Sequence, residues 1–483
     1  MQDTTIPHWL SKQADISPHC SAIELVNGQR LTFEELKNQS QTYAKKLADW
    51  GVKEGFHVAI LSTNKQEMIV AIHALSYLKA VAVLLNIRLT KDELMYQLND
   101  ADVCFLIYPE ELKDKASSLS IKHQASYTEI HQRHPKKIAL AKEIRLNDPF
   151  TIMYTSGTTG FPKGVIHTYG NHWWSAIGSA LNLGIHDQDK WLAALPLFHV
   201  SGLSILIRSV IYGMPVYLLE KFNKKAVHQA IINDGVTIVS VVTVMLQQLV
   251  EELGTNQYPT TLRCFLLGGG PAPLPLLKQA KKLNVPVFQS FGMTETASQI
   301  VTLNANDALK KVGSAGKALF PAQVKVESSD QTIGEIYVKG PMVTSGYYKK
   351  PEATNKILKD GWLATGDLGY LDDEGFLYVV DRRNDLIISG GENIYPSEIE
   401  SVLSGHPAIK EAGVTGISDD KWGEVPIAFV VTNTQIAFDE VMNYLREHIA
   451  NYKLPKEIHE VAALPRNASN KLVRSQLRHI RKE

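Results

Sequence analysis

The stretch Phe150-Thr-Ile-Met-Tyr-Thr-Ser-Gly-Thr-Thr-Gly-Phe-Pro-Lys-Gly-Val-Ile-His-Thr-Tyr-Gly170 decides how this chain is read. Phe150 to Tyr154 is an apolar run that predicts a buried strand. It feeds a loop of small hydroxyl residues and glycines: Thr155, Ser156, Gly157, Thr158, Thr159 and Gly160. Pro162, Lys163 and Gly164 follow, and then a second strand-like run. Glycines let a backbone approach a ligand and present successive N–H groups to it. The hydroxyls add donors, and Lys163 adds a point charge suited to phosphate. The loop is therefore expected to hold a polyphosphate. It is not a Walker A loop, because the glycine spacing differs and Gly164, not Ser or Thr, follows the lysine. Read alone, Gly-Thr-Thr-Gly is equally a hairpin turn.

Outward from this loop, strand-like runs alternate with amphipathic segments. Thr32 with Glu35 predicts a capping box before a helix to about Trp50. His57–Leu61, Val81–Leu85 and Val103–Tyr108 read as strands, with helices near Gln66–Leu78 and after Thr90. This alternation implies parallel sheets covered by helices. Residues 111–148 are polar and lysine-rich, and read as a surface excursion. Beyond the loop, Trp191-Leu-Ala-Ala-Leu-Pro-Leu-Phe-His-Val-Ser-Gly202 predicts a strand ending near Pro196, with His199 just past it. A helix follows to Tyr212, stopped by Gly213 and Pro215, in which Arg208 is the only charge. Two more strands end in glycine or hydroxyl residues, at Gly268-Gly269 and at Ser290-Phe291-Gly292. Ligands collect beyond strand C-termini in open α/β sheets, so the three ends predict one crevice.

From about 313 short alternating runs suggest a small β-barrel or sandwich, extending to about 384. A separate α/β pattern follows, with a helix over Pro396–Leu403, a strand over Ile427–Val431 and a helix over Phe438–Ile449. Phe438, Val441, Leu445 and Ile449 would share its apolar face. The expected organisation is α/β. A large domain, 1–384, holds parallel-rich sheets and the small β subdomain, and a small α+β domain, 385–483, follows it.

Composition narrows the class. The 483 residues carry 50 basic and 50 acidic side chains, which cancel. Neither a nucleic-acid footprint nor a polybasic membrane patch is expected. No apolar stretch is long enough to span a bilayer, and no signal peptide is visible at Met1-Gln-Asp-Thr-Thr. Three scattered cysteines, Cys20, Cys104 and Cys264, make no metal spacing and are expected as buried small apolar residues in a reducing, cytoplasmic setting. Composition leaves the oligomeric state open; a homo-oligomer is compatible.

The phosphate loop, Phe291-Gly-Met-Thr-Glu295, Thr365-Gly-Asp367, Asp381-Arg382 and Pro465-Arg-Asn-Ala-Ser-Asn-Lys471 occur in one order along the chain. Together they resemble the adenylate-forming superfamily of acyl-CoA synthetases, luciferases and peptide-synthetase adenylation domains. Four further stretches, Gly170-Asn-His-Trp-Trp-Ser-Ala176, Leu195-Pro-Leu-Phe-His-Val-Ser-Gly-Leu-Ser204, Leu266–Pro275 and Asp385–Pro396, are similar to its branch that joins 2-succinylbenzoate to CoA in menaquinone biosynthesis.

The resemblance implies two steps. A carboxylate attacks the α-phosphorus of ATP, and the CoA thiol then displaces AMP. It further implies roles. Thr155 to Gly160 and Lys163 would cradle the phosphates, with Gly268, Gly269, Ser290, Phe291 and Gly292 also around the nucleotide. Thr294 would bind the α-phosphate and Glu295 would hold Mg²⁺. Asp367 would bind ribose, and Arg382 ribose or phosphate. Lys471 would be the adenylation lysine, although Asn470 stands where glycine is usual. The C-terminal domain would turn between steps about Asn384 or Asp385. Residues 388–393, with Gly390 and Gly391, would then face the pocket as Lys471 leaves it.

His199 and Arg208 would serve the acid substrate, Arg208 by pairing with the ring carboxylate that is not activated. The competing readings are a ligase for another aryl or fatty acid, a domain that loads a carrier protein, and a nucleotide sensor without turnover.

Overall fold

A computed structural model describes residues 4–155, 161–269, 272, 274–328, 333–382, 386–434, 436–466 and 472–480. The deciding stretch is a β-hairpin. The strand Pro149–Thr155 pairs antiparallel with Lys163–Thr168, Thr155 opposite Lys163 and Tyr154 opposite Gly164. The hairpin joins a seven-stranded sheet in the spatial order Gly346–Tyr347, Lys163–Thr168, Pro149–Thr155, Val81–Leu85, His57–Leu61, Phe105–Tyr108, His123–Ser126. Four of these pairings are parallel. Val81–Leu85 is buried at every position, as a parallel strand covered on both faces must be.

A second, larger sheet begins with parallel strands: Ser21–Leu25, Val216–Leu218, Trp191–Ala193, Ile238–Val241, Cys264–Leu267 and Val287–Met293. Between the two sheets lie the helices Phe33–Trp50, Gln66–Tyr77, Tyr169–Leu183 and Val200–Tyr212. One apolar core joins both sheets to them through Ile60, Leu84, Leu75, Leu203, Trp191 and Ile238. Local chemistry sets the helix starts. Thr32–Glu35, Thr90–Glu93 and Thr168–Asn171 form reciprocal caps in which side chain and backbone satisfy each other's first-turn groups. Gly213, in the left-handed region, ends Val200–Tyr212.

The strands beyond residue 313 form a small antiparallel lobe with its own core of Phe291, Val301, Ile336, Val338 and Leu363. Its strands run on from the parallel sheet through Ser298–Leu303 and Ser314–Ala318 as one hydrogen-bonded path, so the lobe continues that sheet. The C-terminal domain has a five-stranded sheet built on the long pair Ile409–Asp419 and Gly423–Thr432, with the helices Pro396–Ser404 and Phe438–His448. Among the described residues no helix is long and apolar enough to cross a membrane.

Three expectations are corrected. Residues 111–148 are not a featureless excursion. His123–Ser126 extends the seven-stranded sheet, and Glu143–Arg145 pairs with Thr5–Pro7, because edge strands offer hydrogen bonds that polar sequences can use. Cys264 is buried, but Cys20 and Cys104 are exposed. Phe438 begins its helix 48% exposed, while Val441 and Leu445 reach the core.

His8, His73, His167 and His172 are buried, and burial pushes their imidazoles down, to about 3 for His8 and about 4 for His73 and His167. Each is neutral in the folded chain and takes up a proton once exposed near pH 6.5. Stability is therefore held above that pH and falls as pH drops toward the folded values, by about 1.4 kcal/mol per pH unit for each histidine. Thermal melts followed by circular dichroism are expected to show a Tm that falls steeply from pH 6.5 to 5. A flat Tm over that range would contradict this.

Candidate active site

The C-terminal ends of the parallel strands of both large sheets open into one cleft of about 1510 Å³. Thr155 and Lys163 enter it from the hairpin, Gly268 and Gly269 from the second sheet, and Asp367 from the antiparallel lobe. Along Val287–Met293 burial alternates, and Ser290, Gly292 and Met293 line the cleft. Phe291 has the opposite phase. Its side chain packs in the core of the lobe and does not line the cleft, which leaves only its backbone to face a nucleotide. A Cβ at Gly292 would run into the Ser298 carbonyl, which explains glycine where the chain folds back on itself.

Thr294 and Glu295 occupy a single 3₁₀ turn, Thr294–Thr296, at the end of that strand. Glu295 is buried, accepts a hydrogen bond from the Tyr347 hydroxyl at 2.7 Å, and its carbonyl accepts the Thr344 N–H at 2.8 Å. The Lys163 ammonium lies 5.3 Å from the centre of the Tyr347 ring. A cation, an aromatic hydroxyl and a carboxylate thus meet at the mouth of the hairpin. Among the described residues no three His, Cys, Asp or Glu side chains gather as a metal site. One carboxylate suits magnesium only where phosphate oxygens and water complete the shell.

Asp367 follows the left-handed Gly366 and stands opposite Arg382 in the strand pairing. The Asp367 N–H donates to Thr365 Oγ1 at 3.1 Å. Ser156 to Gly160, Asn384, Asp385 and Lys471 lie outside the described residues, as does the side chain of Arg382. Arg466 and Leu472, on either side of 467–471, bridge each other. Leu472 packs on Ile427, Phe429, Leu464 and Leu477, and neither flanking residue lines the cleft.

The cleft's other end is built on the helix Val200–Tyr212. Arg208 is 1% exposed yet lines the cleft. Its guanidinium lies 5.1 Å from the centre of the Trp191 ring, and Nη2 donates to Ser298 Oγ at 3.3 Å. Nε has no partner, and among the described residues no carboxylate pairs with Arg208. Burial pulls the guanidinium below its ordinary pKa. Buried charges ordinarily sit beside an opposite charge, so this one is set to receive an anion.

His199 caps the same helix without using its side chain as a cap. Its Nε2 lies 3.2 Å from Glu392 of the C-terminal domain, and Arg88 Nη1 reaches the same carboxylate at 2.9 Å. Burial alone would raise the Glu392 carboxyl, but His199, Arg88 and Lys453 outweigh it and hold it below the usual carboxylate range. Gly390 and Gly391 precede it in the cleft wall. Gly391 is left-handed, and a Cβ there would press Val242 at 3.0 Å, so the two domains meet nearly backbone to side chain.

Sequence reading missed Arg88, Tyr347 and Lys453, which carry no motif. Lys453 is buried and joins Glu93 at 2.6 Å to Glu398 at 2.7 Å across the domains. The sole local hint at that contact is Glu93's place in a capping box.

The sequence pattern of the AMP-binding enzyme family matches residues 10–348, and that of the AMP-binding enzyme C-terminal domain matches residues 398–471. The first match alone spans well over half of the sequence, and this chain belongs to the AMP-binding enzymes. It is 58% identical to the 2-succinylbenzoate–CoA ligase of Oceanobacillus iheyensis, over 99% of this chain and 100% of that one. It is 50% identical to the 2-succinylbenzoate–CoA ligase of Bacillus cereus, over 99% of each. The solved o-succinylbenzoate CoA synthetase of Bacillus subtilis is 48% identical over 99% of each chain. Its double mutant bound with the product analogue OSB-NCoA superimposes with a TM-score of 0.95. The same synthetase with the acyl-adenylate OSB-AMP gives 0.78 at the same identity. This chain therefore superimposes more closely on the product-analogue complex than on the acyl-adenylate complex.

Proposed function

We propose that this protein is an AMP-forming acid–thiol ligase that converts 2-succinylbenzoate, ATP and CoA to 2-succinylbenzoyl-CoA, AMP and pyrophosphate in menaquinone biosynthesis. The observation that carries the acid assignment is the buried Arg208, lining the cleft with no carboxylate partner among the described residues. The substrate has two carboxylates. The ring carboxylate meets the guanidinium, which leaves the succinyl carboxylate to point along the cleft toward Thr294 and Lys163. A fatty acid would leave the buried cation unpaired.

In the first step the succinyl carboxylate attacks the α-phosphorus and pyrophosphate leaves. An anion approaches a polyanion, so fixed positive charge and donors govern the rate. The hairpin, with Lys163, holds the outer phosphates. Thr294 holds the α-phosphate, Asp367 and Arg382 hold the ribose, and Lys471 bridges the attacking carboxylate and the α-phosphate. Magnesium at Glu295 supplies further neutralisation of phosphate charge.

In the second step the CoA thiol attacks the acyl carbon and AMP leaves. Gly390 and Gly391 then line the thiol's approach, where the absence of side chains leaves room. His199, held by Glu392, faces the acyl end.

A panel of acids assayed with ATP, magnesium and CoA tests the assignment, with thioester mass and AMP release as readouts. 2-Succinylbenzoate is expected to give the highest kcat/KM. Preference for a fatty acid or a simple benzoate would refute it.

The domain turn between steps is assigned to Asn384 and Asp385. Proline fixes φ near about −65°, so Asn384→Pro is expected to slow one half-reaction selectively. Wild-type rates in both would place the hinge elsewhere.

A further inference from the structure

The mechanism leaves His167 and His172 unused. Both are buried, 0% and 2% exposed, and Thr151 between them is 0% exposed. His167 Nε2 lies 2.7 Å from the carbonyl oxygen of Thr294. A carbonyl only accepts, so Nε2 carries the proton. The neutral ring then has a bare Nδ1, 3.2 Å from Thr151 Oγ1, and it accepts the threonine hydroxyl proton. With its proton so directed, Thr151 Oγ1 accepts from His172 Nε2, 3.0 Å away. The chain therefore runs one way, from His172 to Thr151 to His167 to Thr294. It crosses the helix Tyr169–Leu183, both hairpin strands and the 3₁₀ turn. Burial and the nearby charge of Arg208 favour the neutral form of His172, and burial favours that of His167. Because the chain ends on a carbonyl, it moves no proton to substrate. Its product is position.

The turn it grips is strained. Ala297 and Ser298, neither of them glycine, have φ of 53° and 128°. Such backbone persists only where the surroundings over-determine it. Ser175 Oγ donates to the Ala297 carbonyl at 2.9 Å, and Thr344 N–H to that of Glu295. We infer that His167 is a positioning residue for adenylation: through the Thr294 carbonyl, with His172 and Thr151 fixing its tautomer, it sets Thr294 and Glu295 against the hairpin that carries Lys163. This rests on the roles given to Thr294 and Glu295 in the proposed function.

The test compares His167→Leu, which deletes the donor, with His167→Gln, whose amide N–H can replace Nε2–H. Adenylation is measured in single turnover, thioesterification from preformed adenylate, and ATP affinity by calorimetry without any acid. His167→Leu is expected to lower adenylation kcat by roughly 10- to 100-fold and to weaken ATP, with thioesterification within about threefold. His167→Gln is expected to recover most of both losses.

Thr151→Val removes the relay without emptying the site and provides the comparison should His167→Leu not fold. A several-fold loss confined to adenylation is expected. Equal loss in both half-reactions, no rescue by glutamine, or an unaffected Thr151→Val would overturn the inference. The half-reactions are run with whichever acid the wild type adenylates, so a wrong acid assignment fails in the acid panel and not here.

Discussion

Lys471→Ala is expected to lose roughly 10²- to 10³-fold in adenylate formation while thioesterification of preformed adenylate changes by no more than about threefold. The first step gathers negative charge on the attacking carboxylate and the α-phosphate. In the proposed function a single lysine between them would neutralise both, so its loss would be felt most in the transition state. The second step needs no such bridge, because the thiol attacks an acyl carbon whose leaving group is already AMP. In the arrangement described here Gly390, Gly391 and Glu392 line the cleft, while Arg466 and Leu472, flanking 467–471, do not. Leu472 instead packs into the small core on the C-terminal sheet. Rapid-quench measurement of each half-reaction checks the expected split, and equal losses in both would sink it.

The second large effect is expected at Arg208. A charge-assisted, bidentate pair with a carboxylate contributes about 1.5–3 kcal/mol, and each 1.4 kcal/mol is tenfold in rate, so Arg208→Ala should lower kcat/KM for 2-succinylbenzoate by about 10- to 100-fold. Arg208→Lys should recover only part, because an ammonium cannot reproduce the planar fork. Stability should move the other way for an apolar replacement of similar length. The guanidinium is buried with one long hydrogen bond and an unpartnered Nε, so its desolvation is poorly offset in the free protein. Arg208→Met is therefore expected to raise the stability of the ligand-free protein by about 1 kcal/mol or more while kcat/KM falls. A calorimetric scan beside the kinetics separates the two. A destabilised Arg208→Met would mean that the arginine holds the fold.

Much of this was legible in the sequence because the signals are local. An apolar run, a glycine-hydroxyl loop and a second run read directly as the hairpin of Pro149–Thr155 and Lys163–Thr168. Thr32 with Glu35 announced a helix start that the fold uses. Arg208 is the lone charge in the apolar run Val200–Tyr212, and the fold buries it with that run.

What escaped depends on pairing across distance. Arg88 meets Glu392 from 304 residues away, and Lys453 joins Glu93 to Glu398 between domains; neither carries a local pattern. His123–Ser126 is a strand because Phe105–Tyr108 offers an open edge, which its own polar residues do not reveal. The motif at Phe291 does not reveal that strand alternation turns its side chain into the core of the lobe. Thr151 and His167 lie within Phe150–Gly170 and His172 two residues beyond it, but the meaning of their chain depends on where Thr294 returns to meet it.

The most direct test compares 2-succinylbenzoate with 4-oxo-4-phenylbutanoate, which lacks only the ring carboxylate, in the wild type and in Arg208→Ala. The measured quantity is kcat/KM for thioester formation in all four combinations. The wild type should use the truncated acid poorly. Arg208→Ala should lose about tenfold or more on 2-succinylbenzoate and stay within about twofold of wild type on the truncated acid. An equal loss on both acids would contradict the account, since Arg208 would then support the fold and not select the substrate.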